Sequence, residues 1–159
     1  MSDAQRALLA VFRELTDGPP PGNAFILNTG DDGLLGSLAR LSAADASVRA
    51  AGRSSVAAHV HHVHYGLQLL NRWLRGENPY GDARFADSWT HQDVDTDGWR
   101  ALCDALAREV RDFGHAIRDR TVWNEETWVN VIAITAHVAY HLGAIRQLTA
   151  AAAGPRASD

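Results

Sequence analysis

The sequence predicts an all-α fold, a four-helix bundle, on three observations. Four segments repeat apolar residues at helical spacing. Serine, asparagine, glycine and proline punctuate their ends where helices start and stop. No segment of useful length shows the period-2 alternation of a half-buried strand. At 159 residues and 46% hydrophobic content, the chain suits one soluble domain with its own core, over residues 1–159.

In the first helix Leu8, Phe12 and Leu15 form a stripe, ended by Gly18 and the prolines Pro19, Pro20 and Pro21. A connection follows with one extra short helix, begun by Asp31 or Asp32 and carrying Leu34, Leu35, Leu38 and Leu41. The second main helix starts at Ser54 or Ser55, either able to cap it. Its stripe is Val56, Val60, Val63, Leu67, Leu70 and Leu74, and it stops near Gly76. From Glu77 to about Asp97 the text turns irregular, with Pro79 and the aromatics Tyr80, Phe85 and Trp89. A loop of this length inside a compact domain is a crossover or part of a site. As a crossover it lets the second and third helices run parallel, in up-down-down-up order. The third helix begins around Asp95 to Asp97 and aligns Trp99, Leu102, Leu106, Val110, Phe113 and Ile117. Asn124 caps the fourth, whose inward face collects Val131, Ile134, Val138, Ile145 and Leu148. Beyond it the sequence reads as a fraying tail, flexible from about residue 152 to 159.

Composition removes several functions. The 15 basic residues are all arginine, scattered in a chain of net charge −4, which excludes a nucleic-acid surface. No run approaches the roughly 20 apolar residues that cross a bilayer, and the opening MSDAQRALLAVFREL interleaves charges with its apolar residues. The expectation is a cytoplasmic protein without membrane contact. The single cysteine, Cys103, rules out an internal disulfide and fits a reducing compartment. It falls beside the apolar stripe of its helix, as a small core residue does.

Histidine is where the sequence becomes specific. Four of the eight histidines occupy the six positions from His59 to His64, in SVAAHVHHVHYGL, and two more, His137 and His141, sit in AHVAYHLGAIRQL. On a helix His137 and His141 lie on one face, about 6 Å apart along the axis, and both point inward. Two imidazoles so spaced reach one ion at about 2.1 Å. On the second helix His61 and His64 project away from the valine and leucine stripe and read as solvated. His59 lies inside the broad apolar arc and His62 toward its edge. Periodicity admits both as a third inward histidine and slightly prefers His59.

This arrangement resembles the DinB-like (YfiT-like) metalloenzyme family, over essentially the whole chain. Its members are similar four-helix bundles, with one metal-binding histidine early in the second helix and an HxxxH pair in the fourth. The family places its second-helix histidine seven residues after an opening Ser or Thr; from Ser55 in SSVAAHVHHV that position is His62. The fourth-helix pattern is matched by His137, Val138, Ala139, Tyr140, His141, Leu142, Gly143, Ala144 and Ile145. The resemblance therefore implies metal ligands His62, His137 and His141, with His59 supporting them or substituting for His62.

Three neutral imidazoles leave a coordination position open, whereas structural zinc sites close with four protein ligands. The expected cofactor is a divalent ion, zinc or nickel, since imidazole suits several metals. The resemblance implies a small metal-dependent enzyme acting on a small molecule, either a thiol-dependent S-transferase or isomerase, with a low-molecular-weight thiol cosubstrate such as mycothiol or bacillithiol, or a hydrolase. It also implies a homodimer, for which Tyr140 and Trp128 offer a hint: they cannot both share the inward face with His141. No general base stands out, which supports the competing function, a non-catalytic metal or small-ligand sensor. His59 is the nearest candidate base. Asn130, two turns before His137, reads as a helix-interface amide that could also bond a ligand.

Overall fold

The computed structural model describes residues 1–49 and 52–156. Among them the chain is all-helical, with six α-helices and no strand, consistent with a helical bundle. It divides into two compact units, Met1–Arg40 with Ile117–Asp159, and Leu41–Ala116.

The first unit holds α1 (Asp3–Asp17), α2 (Gly33–Ala39), α6 (Glu125–Leu148) and a short 3-10 helix, Ala150–Ala152. Ser2 and Gln5 start α1 by a reciprocal cap: the Ser2 hydroxyl accepts the Gln5 N–H, and Oε1 of Gln5 accepts the Ser2 N–H. Leu9, Phe12 and Leu15 are buried, so the core stripe is centred on Leu9 and leaves Leu8 half-buried. Gly18 ends α1 at φ +94°, and a Cβ there would stand 2.0 Å from the Asp31 carbonyl oxygen, so glycine alone fits. The buried Glu14 carboxylate folds the following loop back by accepting the N–H groups of Phe25, Ile26 and Leu27 at 2.6 to 3.1 Å. Asn124 caps α6 through the Thr127 N–H at 2.9 Å. Val131, Ile134, Val138, His141, Leu142 and Ile145 are buried along it.

Two expectations need correction in this unit. By length and composition alone α6 is apolar enough to cross a membrane, where no such run was expected; 39% of its most apolar window is buried within the protein. The chain after α6 is also held further than a tail from residue 152 implies. Ala152 is buried, the Arg40 guanidinium donates to the carbonyls of Ala151, Ala152 and Ala153, and Asn28 donates to that of Pro155 at 2.7 Å. Residues 157–159 of that expected tail lie outside the described residues.

The second unit holds α3 (Ala43–Ser47), α4 (Val56–Leu74), most of α5 (Thr96–Asp119) and two short 3-10 helices, Pro79–Gly81 and Phe85–Trp89. Two short helices thus precede α4 where one was expected, because Ser42 and Asp45 cap a new start after Arg40. Ser55 caps α4 through the Ala58 N–H, and its hydroxyl donates to the Gln92 carbonyl at 2.6 Å. Val56, Val60, Val63, Leu67 and Leu70 are buried as expected. On α5, Trp99, Leu106, Val110, Phe113 and Ile117 are buried and Leu102 is half-buried; the Trp99 indole N–H donates to the Leu41 carbonyl at 2.9 Å.

Among the described residues the first unit carries one buried ion pair, Arg146 with Asp31, whose carboxylate is only 2% exposed. Arg146 donates to both Asp31 oxygens at 2.9 and 2.7 Å, and Asp31 also accepts the Gly33 N–H at 2.8 Å. Burial pushes the Asp31 pKa up, but the Arg146 hydrogen bonds, the Gly33 N–H and the charges of Arg146 and Arg40 outweigh it, so it lies below its ordinary value. Because removing one member strands the other, Asp31→Ala should cost about 3 kcal/mol in urea unfolding, and Arg146→Met added to it should recover a large part. Equal losses in the single and double variants would show that the pair does not act as a unit.

Candidate metal centre

Within the second unit, α4 and the segment after it settle what the clustered histidines do. The segment from Phe85 to Gln92 is bonded to the first two turns of α4. The His62 Nδ1 lies 2.6 Å from the Ser88 hydroxyl, which itself donates to the Phe85 carbonyl at 2.6 Å. The His61 Nδ1 donates to the Ser88 carbonyl at 2.8 Å. Trp89 stacks on the His62 ring at 4.2 Å between centroids and receives His59 edge-on at 5.2 Å. The expectation that His61 and His64 are solvated therefore fails. His61 is half-buried under the loop and stacked on His91 at 3.9 Å, and His64 is half-buried. The physical reason is that the loop covers His61, while His64 lies near the charges of Glu109 and Arg108 on α5.

Within the first unit, His137 and His141 are brought together by one turn of α6. Their Nε2 atoms stand 3.0 Å apart, with His141 buried and His137 half-buried. Two nitrogens at that separation, each about 2.1 Å from a common ion, subtend about 90° there. That is a workable chelate angle, and the four-residue spacing on one helix face puts it within reach of the two side chains.

A three-histidine group that could hold a metal ion exists among the described residues: His62, His137 and His141. These are the residues that the resemblance implies. His59 is outside the group. Its lowered pKa comes from burial, as does that of His137.

Other candidates resolve differently. The Asn130 side-chain amide donates to the Glu126 carbonyl of its own helix at 2.9 Å, an exposed bond within α6 and not one across a helix interface. Of the loop aromatics, Trp89 reaches the histidines. Tyr80 is exposed, and the exposed Phe85 packs edge-on against Tyr65. Burial and the neighbouring Asp104 charge push the Cys103 thiol up to about 12, which leaves it protonated and unreactive at neutral pH. Ser88 was not singled out by the sequence. A serine in a polar loop carries no periodic signal, and only its burial, at 2% exposed, marks it.

The family model of the DinB superfamily matches residues 27–144. No curated protein and no solved structure matches the chain.

Burial lowers the pKa of His59, His64 and His137, for His64 against the opposing charge of Glu109. A lowered folded-state value means that the unfolded chain binds protons at these sites first as pH falls through about 6.5. Stability from these groups is thus fully present above about pH 7 and is lost progressively as pH falls below about 6.5. The urea midpoint of the metal-free protein should be lower at pH 5.5 than at pH 7.5; an equal or higher midpoint would contradict the burial of these rings.

Proposed function

The chain belongs to the DinB superfamily, and on that premise we propose that His62, His137 and His141 hold one divalent ion, zinc or nickel, in a small metal-dependent enzyme acting on a small molecule. The reaction class is thiol-dependent S-transfer or isomerisation with a low-molecular-weight thiol, or hydrolysis. The observation that carries the reading is the donor set. It consists of three imidazoles without cysteine or carboxylate, the composition of an open site instead of a closed structural one. A bound ion would supply Lewis acidity, acidifying a water or taking a thiolate. The chain's own residues supply the surroundings. Trp89 shields one face of His62. His59, one turn earlier on α4 and with its pKa lowered by burial, is the candidate proton acceptor.

A second function, non-catalytic metal or small-ligand sensing, is favoured by one observation: the group contains no carboxylate to act as base. Zinc-loaded and nickel-loaded protein offered thiol conjugates and activated esters separates the two. Turnover supports the enzyme, and saturable binding without turnover supports the sensor. For ligation itself, His137→Ala and His141→Ala should each abolish stoichiometric metal in native mass spectrometry, whereas His64→Ala should keep it. Full occupancy in the His141→Ala protein would remove the site.

The same reading includes a homodimer through the outer face of α6. Val129, Ile132 and Tyr140 are exposed there at 59%, 55% and 69%. An apolar groove of about 400 Å³ runs between this face and α1, lined by Leu8, Val11, Ile26, Ile132 and Ala136 among others. Ridge and groove on one surface suit a two-fold contact. Two adjacent helix faces roughly 10 Å wide and about 22 to 36 Å long offer on the order of 600 Å² per copy, near the lower limit for a specific interface. Sedimentation should show a dimer at micromolar concentration that Ile132→Asp converts to monomer; a wild-type monomer throughout that range would refute it.

A further inference from the structure

A neutral imidazole carries one proton on two nitrogens, and only the nitrogen without it can ligate a metal. Which nitrogen that is on His62 follows from a hydrogen-bond chain inside the second unit. The Ser88 hydroxyl has a single hydrogen. It stands 2.6 Å from the Phe85 carbonyl oxygen, which can only accept, so the hydroxyl donates there. Its contact with His62 Nδ1, also 2.6 Å, must then run the other way, with the ring donating and the hydroxyl accepting. The reverse assignment would press two lone pairs together at a residue 2% exposed to water.

We infer that Ser88 is a positioning residue for the metal centre: anchored to the Phe85 carbonyl, its hydroxyl takes the Nδ1 proton of His62 and so fixes the tautomer that presents Nε2 to an ion. This rests on the reading of His62 as a ligand. Two neighbours hold Ser88 in place. His61 donates to its carbonyl at 2.8 Å, and Trp89, next in sequence, lies nearly parallel to the His62 ring at an interplanar angle of 23°. One short 3-10 turn, Phe85–Trp89, therefore sets both the proton and the plane of His62. The neighbouring histidine is used as the clamp. The density of histidine at the start of α4 thereby gains an explanation beyond ligation: His62 points its Nε2 outward from this clamp while His61 holds the clamp closed. Hydrogen bonds of this kind orient ligating histidines, and losing one typically costs about 10 to 100-fold in metal affinity.

The test begins with the wild-type protein free of metal and labelled with ¹⁵N at histidine. Long-range ¹H–¹⁵N spectra should show the His62 proton on Nδ1. Zinc affinity, measured by competition with a chelating dye, should then weaken about 10 to 100-fold in Ser88→Ala and return to within a few fold of wild type in Ser88→Thr, which keeps the hydroxyl. A proton on Nε2 of His62 in the wild-type protein would overturn the inference without any variant, so the outcome does not depend on Ser88→Ala folding. Unchanged zinc affinity in a folded Ser88→Ala protein would overturn it as well. Absence of zinc binding by the wild-type protein would overturn the metal reading instead, and the tautomer measurement would still decide the Ser88 to His62 bond by itself.

Discussion

Two imidazoles one helical turn apart, one of them buried, bring their nitrogens to a single short separation on α6, and the proposed metal centre depends on that pair. His141 is buried among Val138, Leu142 and Ile145 on α6, so packing fixes its ring before any ligand arrives. His137, a turn earlier, brings its Nε2 to 3.0 Å from that of His141. The apolar neighbours make the arrangement durable. A side chain in a close-packed interior cannot swing away without opening a cavity. The chelate bite therefore comes with the fold of α6.

The second unit solves a different problem, how to orient a histidine near the start of a helix whose flank would otherwise face water. Its answer is the segment after α4. Ser55 and Gln92 tie the far end of that segment to the helix start by reciprocal hydrogen bonds at 2.6 and 2.8 Å. Ser88 and Trp89 then close over His61 and His62. The long loop thus works as a wall, in keeping with the use of such loops to build sites on rigid scaffolds.

Much of this was legible in the sequence. Ser55 and Asn124 cap helices as their residue types demand, and the inward phase of His137 and His141 follows from counting along α6. The phase of His59, His61, His62 and His64 was not legible, for a physical reason. Four histidines in six positions at about 100° per residue point almost all round the helix, and periodicity selects among them only if one side faces water. On α4 no side of that stretch does: Ala57, Ala58, Val60 and Val63 are buried and all four histidines are half-buried. The choice of His62 came from the spacing after Ser55, which carries the family resemblance. The partners that orient it, Ser88 and Trp89, lie in a segment without periodicity. Helical phase was likewise silent about Ser42, whose cap with Asp45 splits one expected short helix into two.

The proposed centre holds its ion with three imidazoles and no fourth protein group. X-ray absorption of the zinc-loaded protein tests it most directly. Three imidazole nitrogens are expected at about 2.0 to 2.1 Å, with their ring multiple scattering, and the remaining coordination filled by a light, exchangeable donor. A sulfur shell near 2.3 Å, or a fourth imidazole closing the sphere, would contradict it.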